Sequence, residues 1–232
     1  MKGTNETDMK AGKMNLLFAM LALGSVCGLL EVIFGGFLHQ IKFPYRVALL
    51  TGLGFGVIGF GLAIFKKPFM VIWIGLVAVL CKQMVVVILH VSLMCKLNSC
   101  LAVLFEYSAL SGIAVMTMSR VKENTGIRML MGGSAALIGS VAFYFIGMQV
   151  APCNYLLSFN HPGGLSAFLI NEGLMWAAFS AILFPLGWLI GERFAEKTDV
   201  LLARKPQLFY IGTALTTVFC WVICAIAISR GI

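Results

Sequence analysis

Charge is scarce in this chain: Asp, Glu, Lys and Arg make up 11% of its 232 residues, where a soluble domain carries about 25%. That scarcity excludes a water-facing globular protein. With 60% hydrophobic residues and a mean hydropathy of +0.98, it also excludes disorder, a collagen-like repeat and a disulfide-stapled secreted module. The chain has no Gly-x-x-x-x-Gly-Lys-Ser/Thr loop and no Gly-x-Gly-x-x-Gly between strand and helix, so it cannot do nucleotide chemistry by itself. It also lacks Cys-x-x-Cys, Cys-x-x-Cys-His and His-Glu-x-x-His, the compact signatures of redox, haem and zinc sites. Its seven cysteines, an odd number lying mostly inside apolar runs, give no disulfide framework.

What the chain does have is long apolar runs. Seven of them, at 14–38, 47–65, 69–94, 98–118, 129–150, 165–190 and 208–228, are long enough to cross a bilayer. The expected fold is therefore all-α: a polytopic helical membrane protein of about seven transmembrane helices, six plus one extra. A tail at 1–13 precedes a single membrane domain at 14–228, and a short tail at 229–232 follows it. The first run is too long for the apolar part of a cleaved signal peptide. Tight connections at Lys42-Phe43-Pro44, Lys66-Lys67-Pro68 and Leu97-Asn98-Ser99 predict that consecutive helices are antiparallel neighbours.

The net charge of +8 comes from 17 basic and 9 acidic residues. Because the basic residues sit between apolar runs, they read as bilayer orientation signals and not as a nucleic-acid surface. An N-terminus inside and a C-terminus outside puts most of them in the cytoplasm, including Lys2, Lys66, Lys67, Lys122 and Lys205. Outside, that orientation leaves Lys42, Arg46, Lys96 and Arg230. The segment from Ala151 to Gly164 has no formal charge and reads either as a plain exterior loop or as a re-entrant turn or lid.

Ionisable residues within spans are costly and mark sites. Four qualify: Glu31, Lys82, Glu106 and Glu172. Counted from the outer span ends, the three acids lie roughly 10–12 Å below the outer surface and Lys82 roughly 18 Å. Residues from several spans at a common depth predict a shared polar cavity opening outward. A purely structural alternative pairs Lys82 with Glu31 or Glu106, which leaves two acids to explain. Two surplus acids suit a cationic ligand, a metal ion, or a ligand rich in hydroxyl and amide donors.

His39, His90 and His161, with Cys95, Cys100 and Cys153, lie toward the same side. Without a ligand-spacing motif they read as interfacial polar groups, and the expectation is no metal and no cofactor. Phe34, Phe37, Tyr45, Phe105, Tyr107, Tyr155, Phe159 and Trp176 divide between an interfacial belt, packing, and stacking on a flat or cationic ligand. No Ser-His-Asp or Cys-His set assembles at one depth, so the chain is not read as an enzyme. Gly24-x-x-x-Gly28, and Gly52, Gly54, Gly56, Gly59 and Gly61, mark helix contacts, within the protein or with another chain.

Gly28-Leu-Leu-Glu31, Gly35-Gly-Phe-Leu-His39, the Pro44 turn, the Gly-rich second span, Ala78-Val-Leu-Cys-Lys82 and Asn98 through Leu104-Phe-Glu106 together resemble the substrate-binding S components of energy-coupling factor transporters. The resemblance covers residues from about 20 to 112. It implies a subunit of the bacterial cytoplasmic membrane that binds a vitamin, cofactor precursor or metal ion as its small-molecule ligand. It further implies partners: a transmembrane coupling subunit and two cytoplasmic ATPases. Glu31, His39, Lys82, Asn98 and Glu106 occupy the polar positions of the pattern, and Gly24 and Gly28 are the implied docking residues. S components commonly have six spans, and the chain beyond about residue 112 carries no part of the resemblance.

Overall fold

A backbone in hydrocarbon must satisfy its own N–H and C=O groups, so runs of this length and apolarity fold as helices. The computed structural model describes residues 6–121 and 124–231, and within them there is no β-strand. Lys2 and Lys122, with the rest of 1–5, Glu123 and Ile232, lie outside the described residues.

Helix α1 (Glu6–Leu29) passes through a π-helical turn (Leu30–Phe34) into α2 (Gly35–Gln40). Then come α3 (Arg46–Phe65), α4 (Met70–Leu89), a 3-10 turn (Leu93–Lys96), α5 (Leu97–Val121) and α6 (Thr125–Val150). After the short α7 (Asn154–Leu157), helix α8 (Gly164–Phe168) runs through a second π-helical turn (Leu169–Gly173) into α9 (Leu174–Arg204), and α10 (Pro206–Ser229) closes the chain. Seven of the resulting helices are long and apolar enough to span a membrane. The protein is thus an all-α, multi-pass membrane protein.

The first helix begins at Glu6 and not near 14, and two further boundaries differ from expectation for local reasons. The third span stops at Leu89 and not near 94, because His90 adopts a left-handed conformation (φ 51°) that ends the helix. The sixth runs to Arg204 and not 190. Hydropathy falls at Glu192-Arg193, but the Glu, Arg, Lys, Ala and Leu that follow are good helix formers. Apolarity marks where a bilayer could end, and helix propensity carries the helix past that point.

Helix neighbours follow small residues more than chain order. Around the bundle α1 packs on α4, α4 on α5, α5 on α6, α6 on α9, α9 on α3, and α3 back on α1. Helix α10 lies against α1 and α4 outside this circuit, so the bundle is six spans plus one. The expectation that consecutive spans are neighbours fails for α3 and α4, which barely touch, while α3 makes its main contact with α9. A Cβ on Gly187 of α9 would sit 1.8 Å from the Gly56 carbonyl oxygen, and one on Gly59 would sit 2.5 Å from that of Phe184. The glycine-rich second span therefore serves internal packing with a helix far away in sequence.

The expected docking residues lie in an internal contact. Gly24 and Gly28 are buried against α4, where added Cβ atoms would meet Val77 and Cys81 side chains at 2.5 Å. They cannot present a free surface to a partner, because the α1–α4 contact occupies them.

At the end expected to face the cytoplasm, Arg128 of α6 is 4% exposed. Its guanidinium donates to both carboxylate oxygens of Glu192 on α9, at 2.8 and 3.1 Å. Its Nε donates to the Val121 carbonyl at 2.8 Å, and its charged plane lies 5.3 Å over the Trp188 ring. Trp188 Nε1 also donates to Glu192 at 2.8 Å.

Candidate functional site

The other end of the bundle holds a cavity of about 970 Å3, lined from all seven spans and three connections. Glu31, His39, Lys82, Asn98, Glu106 and Glu172 all line it. The four ionisable residues picked by depth, together with His39 and Asn98 from the resemblance, thus share one space.

Its floor is a set of contacts within the protein. Lys82, 9% exposed on α4, donates to Glu31 Oε2 at 2.6 Å and also to the Ser99 hydroxyl, joining the first span, α4 and α5. Glu106 of α5 is 2% exposed and pairs with the Thr51 hydroxyl of α3 at 3.0 Å. That hydroxyl also lies 3.0 Å from the Val47 carbonyl, and its one hydrogen serves only one of the two at a time. Gly139 makes the site of Glu106 possible: a Cβ there would lie 2.8 Å from the Glu106 Cα, so α6 closes directly behind it.

Glu31 and Glu172 each sit inside one of the two π-helical turns. Single π-turns are uncommon in helices and occur frequently at functional sites, where the extra residue re-aims side chains. Neither turn contains a proline, and the polar breaks they do carry, Glu31 in one and Asn171-Glu172-Gly173 in the other, do not specify a π-turn in sequence.

The upper wall is built around Glu172. Glu172 faces Tyr155, Trp176 and Arg46. Burial first, then the Glu172 carboxylate, holds the Tyr155 phenol well above its ordinary range. The Tyr155 hydroxyl and the Trp176 indole N–H are both buried beside the Glu172 carboxylate. Phe143 packs on Trp176 with ring centroids 5.9 Å apart, and it lines the cavity with Tyr155 and Trp176.

Two predicted binding residues have a different local occupation. Both contacts of the Asn98 amide nitrogen, at 2.9 Å, are to the Ala151 carbonyl and the Cys153 sulfur, so Asn98 pins the connection after α6. That connection is packed and not a plain loop: Leu156 is fully buried and Tyr144 donates to the Phe159 carbonyl at 3.1 Å. His39 is exposed at the rim, with its Nδ1 against Arg46. Of the aromatic candidates, Tyr155 and Trp176 line the cavity, Phe34, Phe37 and Tyr45 are exposed, and Tyr107 is buried in the core.

The sequence reading missed Thr51, Ser99, Lys42, Arg46 and Lys96 as wall residues. Thr51 and Ser99 had a usable signal, being hydroxyls in the outer parts of their spans. The three cations had been assigned only to orientation. Their presence changes the charge argument: three acids now face Lys42, Arg46, Lys82 and Lys96, so the surplus of acid that favoured a simple cation disappears. Among the described residues, no three His, Cys, Asp or Glu side chains are grouped to hold a metal ion. Compared with known proteins, the chain matches no protein family, no curated protein and no solved structure.

Proposed function

We propose that this protein is a substrate-binding membrane subunit for uptake of a small nutrient of the vitamin or cofactor-precursor class. The ligand is held in the cavity at the outer end of the bundle. Orientation by the positive-inside charge pattern places that end outside a bacterial cytoplasmic membrane. The observation that carries the reading is the convergence of Glu31, Lys82, Glu106 and Glu172 on one cavity of ligand size. The chain has no nucleotide-binding loop, so the energy comes from partner ATPases through a coupling subunit, as the resemblance to S components implies. Docking to that subunit uses a surface other than Gly24 and Gly28.

Gentle extraction of the tagged protein from its native membrane, followed by mass spectrometry, tests the reading. Two nucleotide-binding ATPases and a second membrane subunit are expected alongside the chain. A respiratory or enzymatic complex in their place would make it an anchor whose charges hold helices in register.

A second reading is favoured by one observation. Glu106 lies in the cavity floor with a hydroxyl partner and, among the described residues, no ion pair, which suits a carboxylate that titrates during transport by a stand-alone ion-coupled carrier. Uptake by proteoliposomes holding this chain alone, driven by a proton or sodium gradient, would select it.

A further inference from the structure

The charges that line the cavity are unevenly spent. Each of its three acids already has partners in the protein. Glu31 accepts from Lys82, Glu106 pairs with the Thr51 hydroxyl, and Glu172 lies in reach of the Tyr155 hydroxyl and the Trp176 indole N–H, with Arg46 nearby. Glu106 is also 2% exposed, so it offers a ligand almost no surface. Two of the lining cations stand differently. Lys42, just after the first span, and Lys96, just before α5, are exposed, and both line the cavity. Among the described residues, neither forms an ion pair. They belong to the connections that frame the mouth, so the charge left unspent is positive and outermost.

Resting on the reading above, we infer that the cavity takes an organic acid, its apolar body seated between the walls and one carboxylate or phosphate group held at the mouth by Lys42 and Lys96. An ammonium donating to an ionised oxygen makes a hydrogen bond about twice as strong as a neutral one. Exposed cations around a cleft also raise the local concentration of anions and speed their capture. A ligand cation has no such place, because it would have to compete with Lys82 for Glu31 or with the groups around Glu172. An inorganic anion would leave the walls unfilled: Phe43, Val47, Val85 and Leu89 line a cavity of about 970 Å3, a volume that suits a molecule with an apolar body.

The test uses matched probes on the full chain in nanodiscs of phosphatidylcholine, a lipid without net charge. One skeleton carries each end group in turn: 4-phenylbutanoate, its neutral amide, 4-phenylbutylamine and 4-phenylbutyl phosphate. Acetate supplies the acid without the apolar body. Binding is read by equilibrium dialysis and by shift of the unfolding temperature. The tighter-binding of the two acids should exceed the amide, the amine and acetate by at least about tenfold, and that acid names the group held at the mouth. Because the contact is exposed, its advantage over the amide should shrink as salt rises from about 20 to 500 mM.

A double variant separates recognition from structure. Lys42→Gln with Lys96→Gln removes two exposed cations without ion-pair partners among the described residues, so the empty protein should unfold at an unchanged temperature. The preference for the acids should fall to within about threefold of the amide, and binding of the amide itself should not move. The inference is overturned if the amine or the amide binds as tightly as the better acid, if acetate matches it, if the double variant keeps the preference, or if neither acid binds. A co-purified small molecule without an acidic group, retained equally by the double variant, would overturn it while leaving the binding-subunit reading intact. A chain that retains no small molecule, binds no probe and comes without ATPases would sink both.

Discussion

Two ion pairs mark the two ends of this bundle, and their surroundings differ more than their chemistry. Arg128 and Glu192 form a two-pronged contact in which the buried guanidinium is further held by the Val121 carbonyl and the Trp188 ring, and Glu192 by the Trp188 N–H. Lys82 and Glu31 form a single contact at the edge of a cavity that also holds Glu106, Glu172 and three further cations. The first arrangement uses its hydrogen-bonding capacity to bind α6 to α9. The second leaves neighbouring groups facing open space. A buried charge is evidence of function only when its surroundings remain incomplete, and that condition separates the two pairs.

Cutting the closed pair should have the largest effect on stability. Glu192→Ala removes both carboxylate contacts of Arg128, which is 4% exposed. Because Glu192 itself is 41% exposed, the loss should fall at the low end of the range for broken buried pairs, about 3 kcal/mol. Thermal unfolding in detergent would register it, with ligand binding unchanged in the fraction still folded.

Cutting the open pair should reverse the balance. Lys82→Met is expected to lower stability by only about 1 kcal/mol, since Glu31 borders a space that water can enter, yet to weaken ligand retention at least tenfold. The double variant Glu31→Gln with Lys82→Met sharpens the contrast. If retention of the co-purified ligand survives in it, the pair only holds helix register and the comparison between the two ends collapses.

A smaller effect is expected at the cavity rim. Asn98→Ala removes both contacts to the 151–153 connection and should cost about 1 kcal/mol. Faster proteolytic cutting within 151–163, with the bundle otherwise intact, is the measurement that checks it.

Much of this molecule was legible in its sequence. Apolar run length located all seven spans, because backbone satisfaction in lipid leaves the chain little choice. The common depth of Glu31, Glu106 and Glu172 needed only the rise per residue of a helix. The partner of Lys82 was not decidable, since Glu31 and Glu106 lie at similar depth and only helix rotation separates them. The α3–α9 contact depends on where Gly56 meets Gly187, a relation between residues far apart in the chain. The wall residues Tyr155 and Trp176 were visible as aromatics, but their convergence on Glu172 is a property of the folded packing alone.

The two π-helical turns make the cavity sensitive to chain length. Each inserts one residue beyond the α-helical count, and removing one residue would let the helix close into ordinary register. Everything beyond the deletion would then turn by about 100° and advance by about 1.5 Å. A one-residue loss in 30–34 would swing α2 and His39 away from the rim, and the same loss in 169–173 would re-aim Trp176 against the whole of α9. In genetic terms these two short stretches tolerate exchange of their apolar letters far better than any change in their number.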